Sequence, residues 1–301
     1  MNRTTKRKTK RVSMQKREAI TGYLFLLPSL IGFVVFILVP VIWGLLLSFT
    51  DYDGFKKKNF VGLQNFINLF HDNYFYLSLK NNLYYMIVSV ACILILGLLM
   101  AVFLNAKLRG SGVFKTILFF PQLTSSIAFG MIFAILFTSR GPINNFLRTL
   151  GMSSPPNWLT DARWVMTTIT ITAIIKNVGY YMILFLAGLQ TVPNDLYEAA
   201  SLDGANEFKK FRYVTWPMIT PTFFLCMILC VINSFKVFDL VSQMTNGGPA
   251  NASNVLVYRI YTEAFKFGKF GYASAYGVIL FLIVLLITLI QFRGQKKWVN
   301  Y

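Results

Sequence analysis

Six stretches of this chain stay apolar for about the thickness of a lipid bilayer, and that rules out most folds. The runs cover residues 21–49, 81–106, 116–138, 164–190, 216–237 and 274–292. A hydrocarbon core of about 30 Å takes roughly twenty helical residues, and within it every backbone N–H and C=O must find its partner inside the protein. Helices meet that demand and open strands do not. The reading is an all-α membrane protein with six transmembrane helices. Composition agrees: 13% of the 301 residues are charged, against about 25% in a soluble domain. Cys92, Cys226 and Cys230 all fall inside apolar runs and read as small core residues, not as a disulfide framework or a metal site. The single histidine, His71, offers no triad or metal constellation, so no catalytic residue is assigned.

The net charge of +18 could suggest nucleic acid, but its distribution argues otherwise. Residues 1–20 form a basic tail with eight Lys or Arg and one acid, Glu18. No aromatic residues interleave these charges, which favours anionic membrane lipids over RNA. The following run is too long for a secretory signal and ends without a small-residue cleavage site. It reads as a retained span, broken or bent by Pro28 and Pro40. With six spans both ends share one side. The tail, the 107–115 and 191–215 loops and the 293–301 tail carry 17 Lys or Arg in 63 residues, and the opposite loops carry 10 in 90. Basic residues stay inside, so both termini and the 191–215 loop are expected in the cytoplasm.

That loop holds the most specific phrase in the chain. It reads Tyr197-Glu198-Ala199-Ala200-Ser201-Leu202-Asp203-Gly204-Ala205, and continues through Phe208, Phe211, Val214, Trp216 and Pro217. Asp195, three residues before Glu198, has capping-box spacing. Gly204 offers a bend, and Phe208 and Phe211 resume an apolar face before Pro217 opens the next span. A short helix, a glycine bend and a second short helix make a knob suited to docking. The phrase is similar to the EAA loop of binding-protein-dependent ABC importer permeases, roughly EAA-x-x-DGA, then Phe, then I-x-L-P. Val214-Thr215-Trp216-Pro217 departs mildly from the last element.

The resemblance implies a type I, MetI-like permease domain over residues 21–292, with 191–215 as its cytoplasmic coupling loop. Glu198 would then serve in capping and make polar contact with an ATPase groove, Ala199 and Ala200 would allow close approach, and Gly204 would supply the bend. It also implies partners: a second homologous permease subunit of different sequence, two ATP-binding subunits that hold ATP and Mg, and an extracytoplasmic solute-binding protein. Phe60-Val61-Gly62-Leu63-Gln64-Asn65-Phe66, Asn157-Trp158-Leu159-Thr160-Asp161, and Phe238-Asp239-Leu240 running to Thr245-Asn246-Gly247-Gly248-Pro249 resemble the carbohydrate-uptake branch, of the maltose and glycerol-phosphate type. An oligosaccharide substrate in a bacterial cytoplasmic membrane is what that branch implies. Gly247, Gly248 and Pro249 form a sharp turn suited to docking the binding protein at the outer mouth.

Within the spans, Lys176 and Asn177 sit mid-run. An ionisable group at bilayer depth costs at least about 2.5 kcal/mol and normally faces a bundle interior or a wet cavity. Lys236 and Asp239, three apart, can share a helix face, with Asn233 one turn inward. With Tyr180 these are the substrate-path candidates. Gly110-Ser111-Gly112-Val113-Phe114-Lys115-Thr116 has the flavour of a phosphate loop but lacks the glycine before its lysine and follows a span, not a strand. ATP hydrolysis must come from another chain, and no cofactor is expected in this one. An ion-driven secondary transporter is the competing reading. It would place acids within the spans, and only Asp239 comes near.

Overall fold

A computed structural model describes residues 14–55, 58–106 and 110–295. Most of the basic tail, and the 296–301 end of the last segment, lie outside the described residues. From Met14 the chain is helical: α1 (Met14–Phe33), one widened π turn (Val34–Leu38) and α2 (Val39–Leu47) make one continuous rod. Pro28 is carried inside α1. Pro40, lacking an N–H to donate backward, follows directly on the widened turn. Pro40 therefore accompanies a widened turn, Pro28 is absorbed in regular helix, and neither breaks the first span.

Then follow α3 (Gln64–Phe70), α4 (Asn73–Asn105), α5 (Ser111–Leu123), α6 (Ser126–Leu136) and α7 (Pro142–Thr149). The second half holds α8 (Val165–Gln190), α9 (Asn194–Leu202), α10 (Glu207–Lys210), α11 (Trp216–Phe235), α12 (Asp239–Met244), α13 (Leu256–Tyr261) and α14 (Phe270–Gln295). Among the described residues, five rods are long and apolar enough to cross a membrane. The expected third span, 116–138, is not a straight helix: α5 and α6 meet at a 99° bend. Thr124 and Ser125 are extended there, Pro121 has weakened the last turn of α5, and the Thr124 hydroxyl donates to the Pro121 carbonyl at 2.7 Å. Only as a bent pair does this segment supply the sixth crossing. The second span begins at Asn73, eight residues before its expected start, because Asp72 caps it by accepting from Tyr74 N–H at 2.8 Å.

Spans α4, α8 and α11 form the centre, and small residues set their spacing. A Cβ on Gly97 of α4 would come 3.3 Å from Met182 N of α8, and one on Gly179 would collide with the Leu118 carbonyl oxygen of α5. Helix α8 tolerates its threonines because Thr170 and Thr172 return their hydroxyls to Met166 O and Thr168 O. Leu94, Leu98, Met182, Phe185, Ile219 and Phe235 are among the side chains that fill the main core. Cys226 and Cys230 are buried, and Cys92 is half-buried. The first span stands apart, with 6% of its most apolar window buried. Its C-terminal end is held where Asn65 Nδ2 donates to Ser48 O and Thr50 O, both at 2.8 Å.

The start of the second span and the 240–273 segment meet. Asn81, two turns into α4, donates to Asn251 O and Asn254 O. At the same end, Arg259 lies 2.6 Å from Glu263 and 3.8 Å from Asp72. Burial pushes the Glu263 carboxyl above its ordinary range, and the Arg259 and Lys269 charges only partly oppose this.

Candidate functional site

Two places in the fold gather the residues singled out above. The first is a cavity of about 160 Å³ between α4, α8, α11 and the break before α6. Lys176, Asn177, Asn233, Lys236 and Asp239 all line it. Tyr180 does not. It is half-buried against the main core with its ring 5.2 Å from that of Tyr181. Tyr181 lines the cavity instead, one turn after Asn177. Tyr85, Ser89, Ser126 and Ser234 complete the polar wall. The four-residue spacing of Tyr85 and Ser89 within an apolar run was a readable signal that sequence reasoning missed.

Lys176 reaches across to α5. Its ammonium donates to Pro121 O at 3.2 Å and Thr124 O at 2.7 Å, and the Phe129 ring lies 5.3 Å away. At 6% exposure it faces the bundle interior, not lipid. Asn177 folds back to Ala173 O at 2.7 Å. Lys236 and Asp239 do not share a helix face as expected. Helix α11 ends at Phe235, Lys236 closes it, and Asp239 opens α12. The four ion pairs among the described residues do not include these two. A three-residue spacing makes a pair only while the helix continues, and here it stops.

The second place is the hairpin after α8. Helix α9 starts at Asn194 with Pro193 in the capping position and no side-chain cap. Asp195 therefore sits inside the first turn, where it favours the positive end of the helix, and is not the cap its spacing suggested. Gly204 adopts φ +74°, and the helix closes by Gly204 N–H to Ser201 O at 3.1 Å and Ala205 N–H to Ala200 O at 2.9 Å. That left-handed closure suits glycine. Asn206 then caps α10 by accepting from Lys209 N–H. The expected second short helix is not separate: α10, a π turn (Phe211–Thr215) and α11 run on as one 29-residue rod, with Pro217 just beyond the widened turn.

Tyr197 ties the hairpin to that rod through its hydroxyl, 3.0 Å from Thr215 Oγ1. Glu198, Ala199, Asp203 and Gly204 are exposed, and Ala200 and Ala205 are half-buried. Leu202 is 90% and Phe208 74% exposed. Phe211, by contrast, packs on the core. Leu202 and Phe208 therefore stand out from a tip that also exposes Leu196 and, beyond it, Tyr213.

The Gly247-Gly248-Pro249 turn is a built corner. Gly247 is buried at φ +78°, where a Cβ would come 2.7 Å from the Tyr258 ring, and Gly248 and Pro249 are half-buried. The Thr245 and Ser253 hydroxyls bond each other at 2.8 Å beneath it. Only Asn246 and Ala250 are exposed at its edge.

A bundle of apolar helices around a charged cavity, with a short exposed hairpin at one end, is the build of a membrane-embedded transport subunit. Comparison with known proteins narrows this. Residues 93–298 match the profile of the binding-protein-dependent transport system inner membrane component. The lactose transport system permease protein LacF of Rhizobium radiobacter is 34% identical over 294 residues, covering 96% of this chain and 98% of the relative. The probable ABC transporter permease protein YurN of Bacillus subtilis is 33% identical over 288 residues, covering 94% and 98%. Among solved structures, a bacterial ABC transporter involved in the import of the acidic polysaccharide alginate superposes with a TM-score of 0.83 at 24% identity, over 95% of this chain and 98% of that one. The chain belongs to the family of binding-protein-dependent transport system inner membrane components. It is a permease subunit with the MetI-like fold and not an enzyme, as the resemblance implied. No group of three His, Cys, Asp or Glu side chains that could hold a metal occurs among the described residues.

Proposed function

We propose that this chain carries a sugar, most simply an oligosaccharide, across a bacterial cytoplasmic membrane as one of two different permease subunits. An extracytoplasmic binding protein delivers the sugar. Two separate ATPase subunits, which hold ATP and Mg, drive the cycle. The observation that carries this reading is the α9 hairpin: a nine-residue helix closed by Gly204, with Leu202 and Phe208 projecting from its tip. Exposed apolar side chains on such a tip suit burial in a partner's groove. Glu198 and Asp203 would supply the polar rim, with Tyr197 as the anchor. Sugar as cargo is supported by the lactose permease relative and by the alginate transporter, also seen in complex with an alginate pentasaccharide-bound periplasmic protein, at 25% identity and a TM-score of 0.81.

The cavity at Lys176 and Asn177 is then the substrate path within this subunit. Asn233, Lys236 and Asp239 lead from it toward the side where Gly247, Gly248 and Pro249 form the corner that docks the binding protein. Both termini and the hairpin face the cytoplasm. The test is purification of the tagged chain from mild detergent, with ATPase activity measured against binding proteins loaded with lactose or an alginate oligosaccharide. Co-purification of a second permease and an ATPase, with hydrolysis raised by one loaded binding protein, is the expected result. Solute movement by the lone chain down an ion gradient would instead establish a secondary transporter.

A further inference from the structure

Lys176 does more than line the cavity. A helix leaves its last carbonyls without backbone partners, and α5 ends at a break beside the cavity that Ser126 lines. The Lys176 ammonium fills that gap by donating to Pro121 O in the final turn and to Thr124 O in the break itself. A cation at the negative end of a helix is favourably placed. Gly179, three residues further along α8, lets the two backbones close to a distance that no side chain would allow. Together the glycine and the lysine dock α5 along α8 and fix where its bend falls.

The same ammonium is available to the cavity. It carries three donors, and two are taken by protein groups among the described residues. Asp239 is the one carboxylate lining the cavity among the described residues. Beyond the break, α6 packs on α12, the helix that Asp239 opens: a Cβ on Gly130 would come 3.2 Å from Gln243 Cβ. The bend, the lysine and the carboxylate therefore border one cavity.

We propose that Lys176 is a positioning residue for transport, whose ammonium clamps the α5–α6 bend through Pro121 O and Thr124 O and is drawn off those carbonyls when a hydroxylated ligand, or Asp239, takes it. This rests on the reading that the cavity lies on the path of a sugar. Occupancy of the cavity is then felt as a change in the bend, without a separate sensor. No bond is made or broken, and the lysine only exchanges hydrogen-bond partners.

The experiment uses the complete transporter in lipid nanodiscs, with spin labels at Phe114→Cys on α5 and Ile132→Cys on α6. Both positions are more than half exposed and lie on either side of the break. Lys176→Met should broaden and shift the resting label distance, and Lys176→Arg should restore it. Maximal uptake should fall about 10- to 100-fold in Lys176→Met, the scale of a lost hydrogen bond to a charged group, while the half-saturating sugar concentration stays within about threefold. Asp239→Asn leaves the clamp itself in place. It should keep the resting distance but weaken the shift that the loaded binding protein and ATP produce. A wild-type distance in Lys176→Met, or a rise in half-saturation alone, would overturn the clamp. An Asp239→Asn protein with wild-type uptake and response would overturn the exchange. A wild-type complex indifferent to lactose and to an alginate oligosaccharide counts against sugar import, and the resting comparison still decides the clamp.

Discussion

Replacing Gly204 separates the shape of the hairpin from everything else in the protein. A Cβ added there meets no atom within 4 Å, so crowding contributes nothing. The whole cost is the backbone, held at φ +74°, where an ordinary L-residue is roughly 1–2 kcal/mol worse off than glycine and a β-branched one is worse still. Two hydrogen bonds close the turn, to Ser201 O and Ala200 O, and an exposed hairpin has little other stability to draw on. A penalty of 1–2 kcal/mol lowers the population of the docking shape by about 5- to 30-fold. Gly204→Ala should therefore reduce uptake, Gly204→Val should abolish it, and Gly204→Asn, which tolerates the left-handed region, should retain most of it. All three should insert and express normally, because the turn lies at the surface. Uptake into proteoliposomes, normalised to inserted protein, orders the series. Wild-type uptake by Gly204→Val, or equal loss in Asn and Val, would show that backbone shape at this turn does not govern coupling.

Three further outcomes follow from distances already given. Tyr197→Phe removes the hydroxyl bonded to Thr215, at a cost of about 0.5–1.5 kcal/mol. It should lower uptake per ATP hydrolysed without changing the unfolding temperature much, and unchanged coupling would relieve Tyr197 of its anchoring role. Gly179→Ala places a methyl group against the Leu118 carbonyl, forcing α5 off α8. Overpacking of this kind costs about 1–3 kcal/mol, to be read as a drop in detergent melting temperature, and an unshifted melt would mean the two helices are free to part. Glu263 has its carboxyl raised by burial, so its contribution to stability is present in full below about 4.5 and is lost as pH rises through the higher folded value. Glu263→Gln should flatten the fall in melting temperature as pH rises above about 4.5, and an identical slope in the variant would place that titration elsewhere.

Much of this structure was legible because apolar length and special residue types are local signals. The spans appear in the sequence as runs, and the hairpin as a helix-forming phrase ended by Gly204. Lys176 was legible as an expensive charge that had to face inward. What stayed hidden depends on partners distant in sequence. The 99° bend lies inside a run that averages as apolar, and the cation that satisfies its open carbonyls comes from more than fifty residues later. Lys236 and Asp239 looked like neighbours on one helix because nothing in their spacing reveals that α11 stops at Phe235. Asp195 carried the right capping spacing, but Pro193 had already fixed the start of the helix. Tyr180 and Tyr181 differ only in which way a helix face turns, and that is settled by packing against α4.

The widened turn at Phe211–Thr215 gives the hairpin an unusual mechanical attachment. A straight α-helix would carry a push from the hairpin tip into α11 as a stiff rod. A π turn holds one residue of slack, and taking it up slides the segment along its axis by about 1.5 Å and rotates it by roughly a quarter turn. With the hairpin docked as proposed, the joint would work as a clutch. The bond from Tyr197 to Thr215 spans it, so a push would reach α11 while that contact is engaged and would be absorbed as rotation were it released.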